Sequence, residues 1–157
     1  MRAVAAAGLL LAAHAGPAAE ALYDFEWRAL TTLSRWEVGD TVTTRWEQAG
    51  RGQLRLRRLA DGRLAFEFTG PKGSGRGVIL GESVQRVTFP KPLRIGLPPA
   101  PSHLQSGTYH AIGDAARPPA FDVTWAEGFI CRTTPARCGN VTAWSRELTG
   151  HGTRVDP

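Results

Sequence analysis

Apolar and polar residues alternate with a period of two along most of the chain beyond residue 21. In the clearest example, Tyr23, Phe25 and Trp27 are interleaved with charged residues. This period is typical of β-strands with one buried and one solvated face. The pattern predicts further strands at residues 41–48, 52–59, 63–69, 78–80, 83–89, 93–97, 121–125 and 141–148.

Two of these segments predict a β-hairpin. Asp61 and Gly62 lie between 52–59 and 63–69, and an Asp-Gly pair flanked by alternating segments favours a tight hairpin turn. The alternation gives the last predicted strand, 141–148, two distinct faces. One face carries Thr142, Trp144, Arg146 and Leu148, and the opposite face carries Val141, Ala143, Ser145 and Glu147.

Glycine and proline separate the predicted strands. Residues 70–77 contain four glycines and a proline and predict a flexible turn. Residues 103–117 are the one stretch that could be helical, although Gly107 and Gly113 weaken a helix. The pattern therefore predicts a mostly β protein: one antiparallel domain, barrel-like or a spiral meander, with at most one short helix. A β-sandwich is the alternative.

The N-terminus has the pattern of a secretory signal peptide. Arg2 precedes an apolar run at 3–13, and small residues then offer cleavage after Ala15 or Ala21. The run is too short to span a bilayer, so we expect no transmembrane segment in the mature chain. We expect a signal peptide at 1–21, a single β domain at 22–150 and a frayed tail at 151–157. The predicted location is periplasmic or secreted, and the oligomeric state stays open.

The chain has two cysteines, Cys131 and Cys138. Oxidising compartments permit structural disulfides, and the six intervening residues include a proline that helps the loop turn back. A zinc site needs four ligands and a redox pair usually has two intervening residues, so the spacing favours a disulfide over either.

Arginine dominates the charge. Lys and Arg total 19 against 14 Asp and Glu. Arg51, Arg55 and Arg57 lie around the predicted hairpin, with Arg55 and Arg57 opposite its apolar face. Guanidinium groups bind phosphate and carboxylate, so these three residues are candidates for binding an anionic envelope polymer or lipid. The alternative is an exposed strand face that its charges merely keep solvated. Nucleic acid is a poor partner for an exported chain.

Catalytic motifs are scarce in the sequence. His110 and Asp114, one helical turn apart, are the candidate pair for a small hydrolase, and two solvated loop residues are the alternative. We find no metal-ligand spacing and no cofactor motif. Trp27, Trp36 and Trp46 either fill the core or line a cavity for an apolar ligand. The sequence thus favours a protein without catalytic activity but does not decide the question.

A stretch in the second half resembles a known family. It reads Val-Thr-Phe-Pro-Lys-Pro-Leu at 87–93 and Leu-Pro-Pro at 97–99, followed by His110 and Asp-Ala-Ala at 114–116. This is similar to part of the EipB-type (DUF1849) family of periplasmic envelope-integrity proteins. The resemblance implies a non-enzymatic, disulfide-bearing, spiral β-protein of the cell envelope. This chain is shorter, its spacing around His110 differs, and no catalytic residue is carried over.

Three functions follow as hypotheses. The first is an exported, non-enzymatic β-protein that binds a cell-envelope component and supports envelope integrity. The second is a small secreted hydrolase that uses a His–carboxylate pair. The third is a barrel that binds an apolar small ligand.

Overall fold

The structure, a computed structural model, describes residues 20–88 and 104–155. These residues form eight β-strands and one short 3-10 helix at Pro135–Cys138. The strands are β1 Glu20–Glu37, β2 Asp40–Arg58, β3 Leu64–Gly70, β4 Gly73–Leu80, β5 Ser83–Thr88, β6 Leu104–Ala111, β7 Ala120–Ile130 and β8 Val141–Arg154.

The strands close into an antiparallel barrel. Each strand pairs with the next along the chain, and β1 also pairs with β8. The predicted mostly β, barrel-like fold is therefore confirmed, and the β-sandwich alternative is wrong. The predicted hairpin is the β2–β3 pair, in which Arg58 lies opposite Leu64. Its turn contains Gly62 at φ 83°, a left-handed conformation that glycine adopts without strain.

The alternation of the sequence corresponds to the inside and outside of the barrel. Tyr23, Phe25 and Trp27 are buried, while Asp24 and Glu26 between them are exposed. The main core fills the end of the barrel where β7 begins, which we call the lower end. A smaller cluster lies towards the other, upper end, where β7 finishes. The smaller cluster contains Leu33, Phe129, Val141 and Trp144.

The lower end of the barrel is closed by the β6–β7 loop, residues 112–119. The Tyr23 hydroxyl donates to the carbonyl oxygen of Pro118 at 3.0 Å, and the Tyr109 hydroxyl donates to that of Ala115 at 2.8 Å. Burial raises the pKa of Tyr109, so this hydroxyl keeps its proton and remains a donor. Pro118 itself is fully buried, and the loop therefore forms a floor under the core.

The β7–β8 loop at the upper end carries the predicted disulfide. Cys131 and Cys138 are bonded, with their Cα atoms 6.1 Å apart, inside the usual range for a disulfide. Both cysteines pack against the smaller cluster that contains Trp144. The 3-10 helix lies within this loop, and its C-cap Gly139 has a left-handed conformation.

Three expectations differ from the structure. Residues 70–77 are not a flexible turn, because β4 begins at Gly73 after a tight turn and pairs with β3. Residues 103–117 are not helical: from Leu104 to Ala111 they form β6, whose backbone pairs with β7. The predicted tail does not begin at residue 151, because β8 continues to Arg154 and pairs with β1 and β7.

Several expectations fall outside the described residues. They are the signal peptide through residue 19, the strand at 93–97, most of the stretch that resembles the EipB-type family, and residues 156–157.

Candidate functional site: the barrel interior and the outer wall

The barrel interior contains a small apolar cavity of about 40 Å³. Trp27, Trp125, Leu148, Val84 and Tyr109 are among the side chains that line it. A cavity of about 150 Å³ is known to bind benzene, so a ligand of that size would fit here only if side chains moved. Apolar side chains therefore fill most of the barrel interior.

Directly above the cavity lies a buried polar layer made by Thr31, Glu127 and Arg146. The Arg146 side chain is 1% exposed and that of Glu127 4%. Nη1 of Arg146 donates to Oε1 of Glu127 at 3.4 Å, and Nε donates to Oγ1 of Thr31 at 3.4 Å. Both distances are long for hydrogen bonds of this kind. The interior therefore holds a charged pair between two apolar clusters.

The strand register fixes the order of these layers. Inward-facing residues paired directly across neighbouring strands form a rung, so consecutive rungs are two residues apart along each strand. Thr31, Arg146 and Glu127 belong to one rung across β1, β8 and β7. The next rung down contains Leu148 and Trp125, which line the cavity. The next rung up contains Leu33, Trp144 and Phe129. The polar layer is thus one rung from the cavity.

Two polar atoms in the neighbouring rungs lack a hydrogen-bond partner. Among the described residues, Oε1 of Gln48 and Nε1 of Trp144 are buried and unpaired. Gln48 pairs with Ala29 in the rung below the polar layer. A buried polar atom without a protein partner is free to form a hydrogen bond with water or with a ligand group.

The polar layer has a signal in the sequence. The alternation of the last predicted strand places Arg146 on the same face as Trp144 and Leu148, and the structure shows that this face is the buried one. A charged residue on a buried apolar face requires a partner, and Glu127 on the adjacent strand supplies it. That pairing depends on strand register.

The outer wall carries a second group of polar residues. Nδ1 of His151 lies 2.7 Å from Oδ1 of Asp122, on adjacent strands. The two side chains are 55% and 67% exposed, so this His–carboxylate pair is on the surface rather than in a deep pocket. His110 on β6 is the other cross-strand neighbour of Asp122.

The structure does not place His110 and Asp114 one helical turn apart, as the sequence predicted. His110 is an exposed residue of β6, and Asp114 is in the β6–β7 loop, so the helical spacing does not apply. Asp114 instead forms an ion pair with Arg58, with 3.2 Å between Oδ1 and Nη2. It also accepts a hydrogen bond from the backbone of Ala116 and so stabilises the floor loop.

Arg51 lies in a depression of about 670 Å³ on the outer wall. Arg28, Lys72 and His151 line the same depression, together with the carboxylates of Glu26 and Asp122. Nζ of Lys72 donates to the carbonyl oxygen of Ala49 at 2.6 Å, which holds its ammonium group at the rim.

Arg55 and Arg57 share the outer face of β2 with Arg51, as the sequence predicts. Acidic residues on both neighbouring strands flank them. Arg55 lies opposite Glu67 of β3, and its Nη1 is 3.7 Å from Oε1 of Glu20. Glu20 is also the cross-strand partner of Arg57. The positive charge of these two arginines is therefore partly balanced locally, and Arg51 is the one that lines the depression.

The three early tryptophans have separate environments. Trp27 lines the cavity, Trp46 is half-buried against the upper cluster, and Trp36 is 43% exposed near the β1–β2 turn. They do not form one common wall.

No family model matches this chain, and no curated protein matches it. The resemblance to EipB-type proteins therefore stays a prediction. In residues 20–88 and 104–155, no group of three or more His, Cys, Asp or Glu residues is arranged to hold a metal ion. Over the same residues, no helix has the length and apolar character needed to cross a membrane.

Proposed function

We propose that this protein is an exported, non-enzymatic β-barrel that binds a cell-envelope component and holds its apolar part in the barrel interior. The observation that carries the proposal is the apolar cavity directly beneath the buried pair of Arg146 and Glu127. Binding sites for small molecules are mostly apolar, with a few placed polar groups that fix orientation. The interior of an eight-stranded barrel is just wide enough to be filled by side chains or to hold one small ligand.

Two further points support binding rather than hydrolysis. The His–carboxylate contact in residues 20–88 and 104–155, between His151 and Asp122, is on the exposed outer wall. Burying charge in a core is costly, and replacing a buried ion pair by apolar residues is often neutral or stabilising. A role for Arg146 and Glu127 in ligand orientation gives a reason for their presence that stability does not.

The test uses toluene as an apolar probe and tryptophan fluorescence as the readout, because Trp27 and Trp125 line the cavity. We expect saturable quenching or shift of emission in the wild type. Val84→Phe adds volume where Val84 lines the cavity and should weaken toluene binding at least tenfold. Leu80→Phe, at an exposed position on β4, is the matched control and should bind like the wild type. No saturable binding, or equal affinity in Val84→Phe, would overturn the proposal.

A second candidate site is the outer-wall depression, which would bind an anionic envelope polymer or lipid head group. The convergence of Arg28, Arg51 and Lys72 around it favours this function. Phosphate or carboxylate groups would contact the cations, while Glu26 and Asp122 would favour ligands that also carry an amine.

A further inference from the structure

The charge of the polar layer limits what can bind beside it. Arg146 and Glu127 form an ion pair with both side chains almost wholly buried, and Thr31 at the same level is uncharged. The layer is therefore electrically neutral as it stands. A charge brought next to it would be buried without a counter-charge of its own, which is costly in an apolar interior.

The rungs next to the polar layer contain uncharged atoms that can form hydrogen bonds. Oε1 of Gln48 is a buried acceptor without a partner, and Nε1 of Trp144 is a buried donor without one, within the described residues. They belong to the rungs immediately below and above the layer. An indole nitrogen can only donate, whereas a side-chain amide can both donate and accept. A group that donates would complement Gln48, and a group that accepts would complement Trp144.

We propose that the polar layer selects a neutral head group with a hydrogen-bond donor and acceptor, a hydroxyl or an amide, on an otherwise apolar ligand. The inference rests on the proposed binding in the barrel interior and adds the chemical class of the ligand. The head group lies at the level of Gln48, Thr31 and Arg146, and the apolar part extends down past Leu148 and Trp125 into the cavity.

An anionic head group is disfavoured although an arginine is present. Its charge would approach Arg146 while Glu127 remains on the same rung, so two carboxylates would share one guanidinium in a buried site. An ammonium head group is disfavoured for the converse reason, because its positive charge would lie beside that of Arg146 with only the Glu127 carboxylate to balance both. The neutral alcohol or amide leaves the existing pair intact and satisfies polar atoms that otherwise cost free energy.

The experiment compares ligands with the same chain and different head groups. Hexanol, hexanoate and hexylammonium are titrated by calorimetry at a pH where the acid and the amine are both ionised. We expect hexanol to bind at least tenfold more tightly than either ion. Equal or tighter binding of hexanoate, with toluene still bound, would overturn this inference and leave the proposed function standing. Binding of no probe, toluene included, would overturn both.

Glu127→Gln gives the decisive variant. It removes the carboxylate beside Arg146 and keeps the shape, so hexanoate can now supply the missing negative charge. We expect the preference for hexanol over hexanoate to fall at least tenfold or reverse. An unchanged preference in a variant that retains its circular dichroism spectrum would contradict the proposal.

Gln48→Leu tests the head-group contact should Glu127→Gln fail to fold. The change removes an unpaired buried acceptor, so the fold should tolerate it. Hexanol affinity should fall about threefold or more, while toluene affinity stays unchanged, as for a contact of about one hydrogen bond. Gln53→Leu, at an exposed position on the same strand, is the control. Unchanged hexanol affinity in Gln48→Leu would mean that buried water alone serves these atoms and would overturn the inference.

Discussion

A Cβ atom at Gly52 would lie 2.2 Å from the main-chain oxygen of Thr69 on the neighbouring strand. The β2 and β3 backbones approach so closely there that a side chain has no room. Gly50, two residues earlier, has a different neighbour, since its Cβ would meet the indole ring of Trp27 at 2.7 Å. Glycines at such positions let strands bend into a barrel while aromatic rings lie across them.

Alanine at these two glycines should therefore have unequal effects. Gly52→Ala must displace backbone and should lower the free energy of unfolding by about 3 kcal/mol, at the upper end of the usual cost of overpacking. Gly50→Ala should cost about 1 kcal/mol, because the Trp27 ring can shift. Urea unfolding followed by circular dichroism measures both. Ala49→Ser, at the exposed position directly before Gly50, is the control. A larger loss for Gly50→Ala would contradict this account of the close approach.

Reduction of the disulfide should destabilise the upper end. The bond between Cys131 and Cys138 closes a short loop, which corresponds to roughly 2–3 kcal/mol on the chain-entropy model. We expect a lower thermal midpoint with reductant and no effect of reductant on a Cys131→Ser, Cys138→Ser double variant. Thiol titration of the unreduced protein should find no free thiol. Two free thiols would remove the bond and weaken the case for an oxidising compartment.

The position of β1 bears on the predicted cleavage site. β1 begins at Glu20, and Ala21 is fully buried opposite Leu56. Cleavage after Ala21 would remove the first two residues of this strand, whereas cleavage after Ala15 leaves it whole. We therefore expect the mature chain to begin at Gly16. Intact-mass measurement of the protein purified from its native source checks this, and a mass that corresponds to a start at Leu22 would show that the barrel forms without Ala21.

The outer-wall site predicts a division among the arginines. Arg51→Gln with Lys72→Gln should reduce retention on purified lipopolysaccharide or peptidoglycan, and added salt should weaken wild-type binding because it screens charge. Arg55→Gln with Arg57→Gln removes the same charge from positions flanked by acidic residues and should have a smaller effect. Equal retention of all three proteins would return these residues to the role of a solvated surface.

The sequence was sufficient to predict which side chains share a face of a strand. Phe25 and Trp27, and likewise Trp144 and Leu148, follow the period of two, and the structure buries all four, although in the last strand the sequence did not say which face is buried. Burial of one face is a local property of a strand, so it is visible without knowledge of the partners.

The rest depended on pairing across the chain. Arg146 meets Thr31 across 115 residues, and no local pattern specifies that register. Tertiary context also explains the error at residues 103–117. The spacing of His110 and Asp114 is compatible with a helix, but pairing of β6 with β7 takes the backbone hydrogen bonds for a strand instead.

The β5–β6 pairing consists of a single residue pair, Ser83 with Thr108, within the described part of the barrel. The backbone of Tyr109 adds one hydrogen bond to the carbonyl oxygen of Glu82. A β-sheet opens most readily between strands that share few backbone hydrogen bonds. Amide hydrogens of β5 and β6 should therefore exchange with solvent before those of β1 and β8. Val84 and Tyr109 line the cavity immediately behind this pairing. A ligand bound as proposed would thus enter laterally, through a transient opening between β5 and β6, while the β6–β7 loop kept the lower end of the barrel closed.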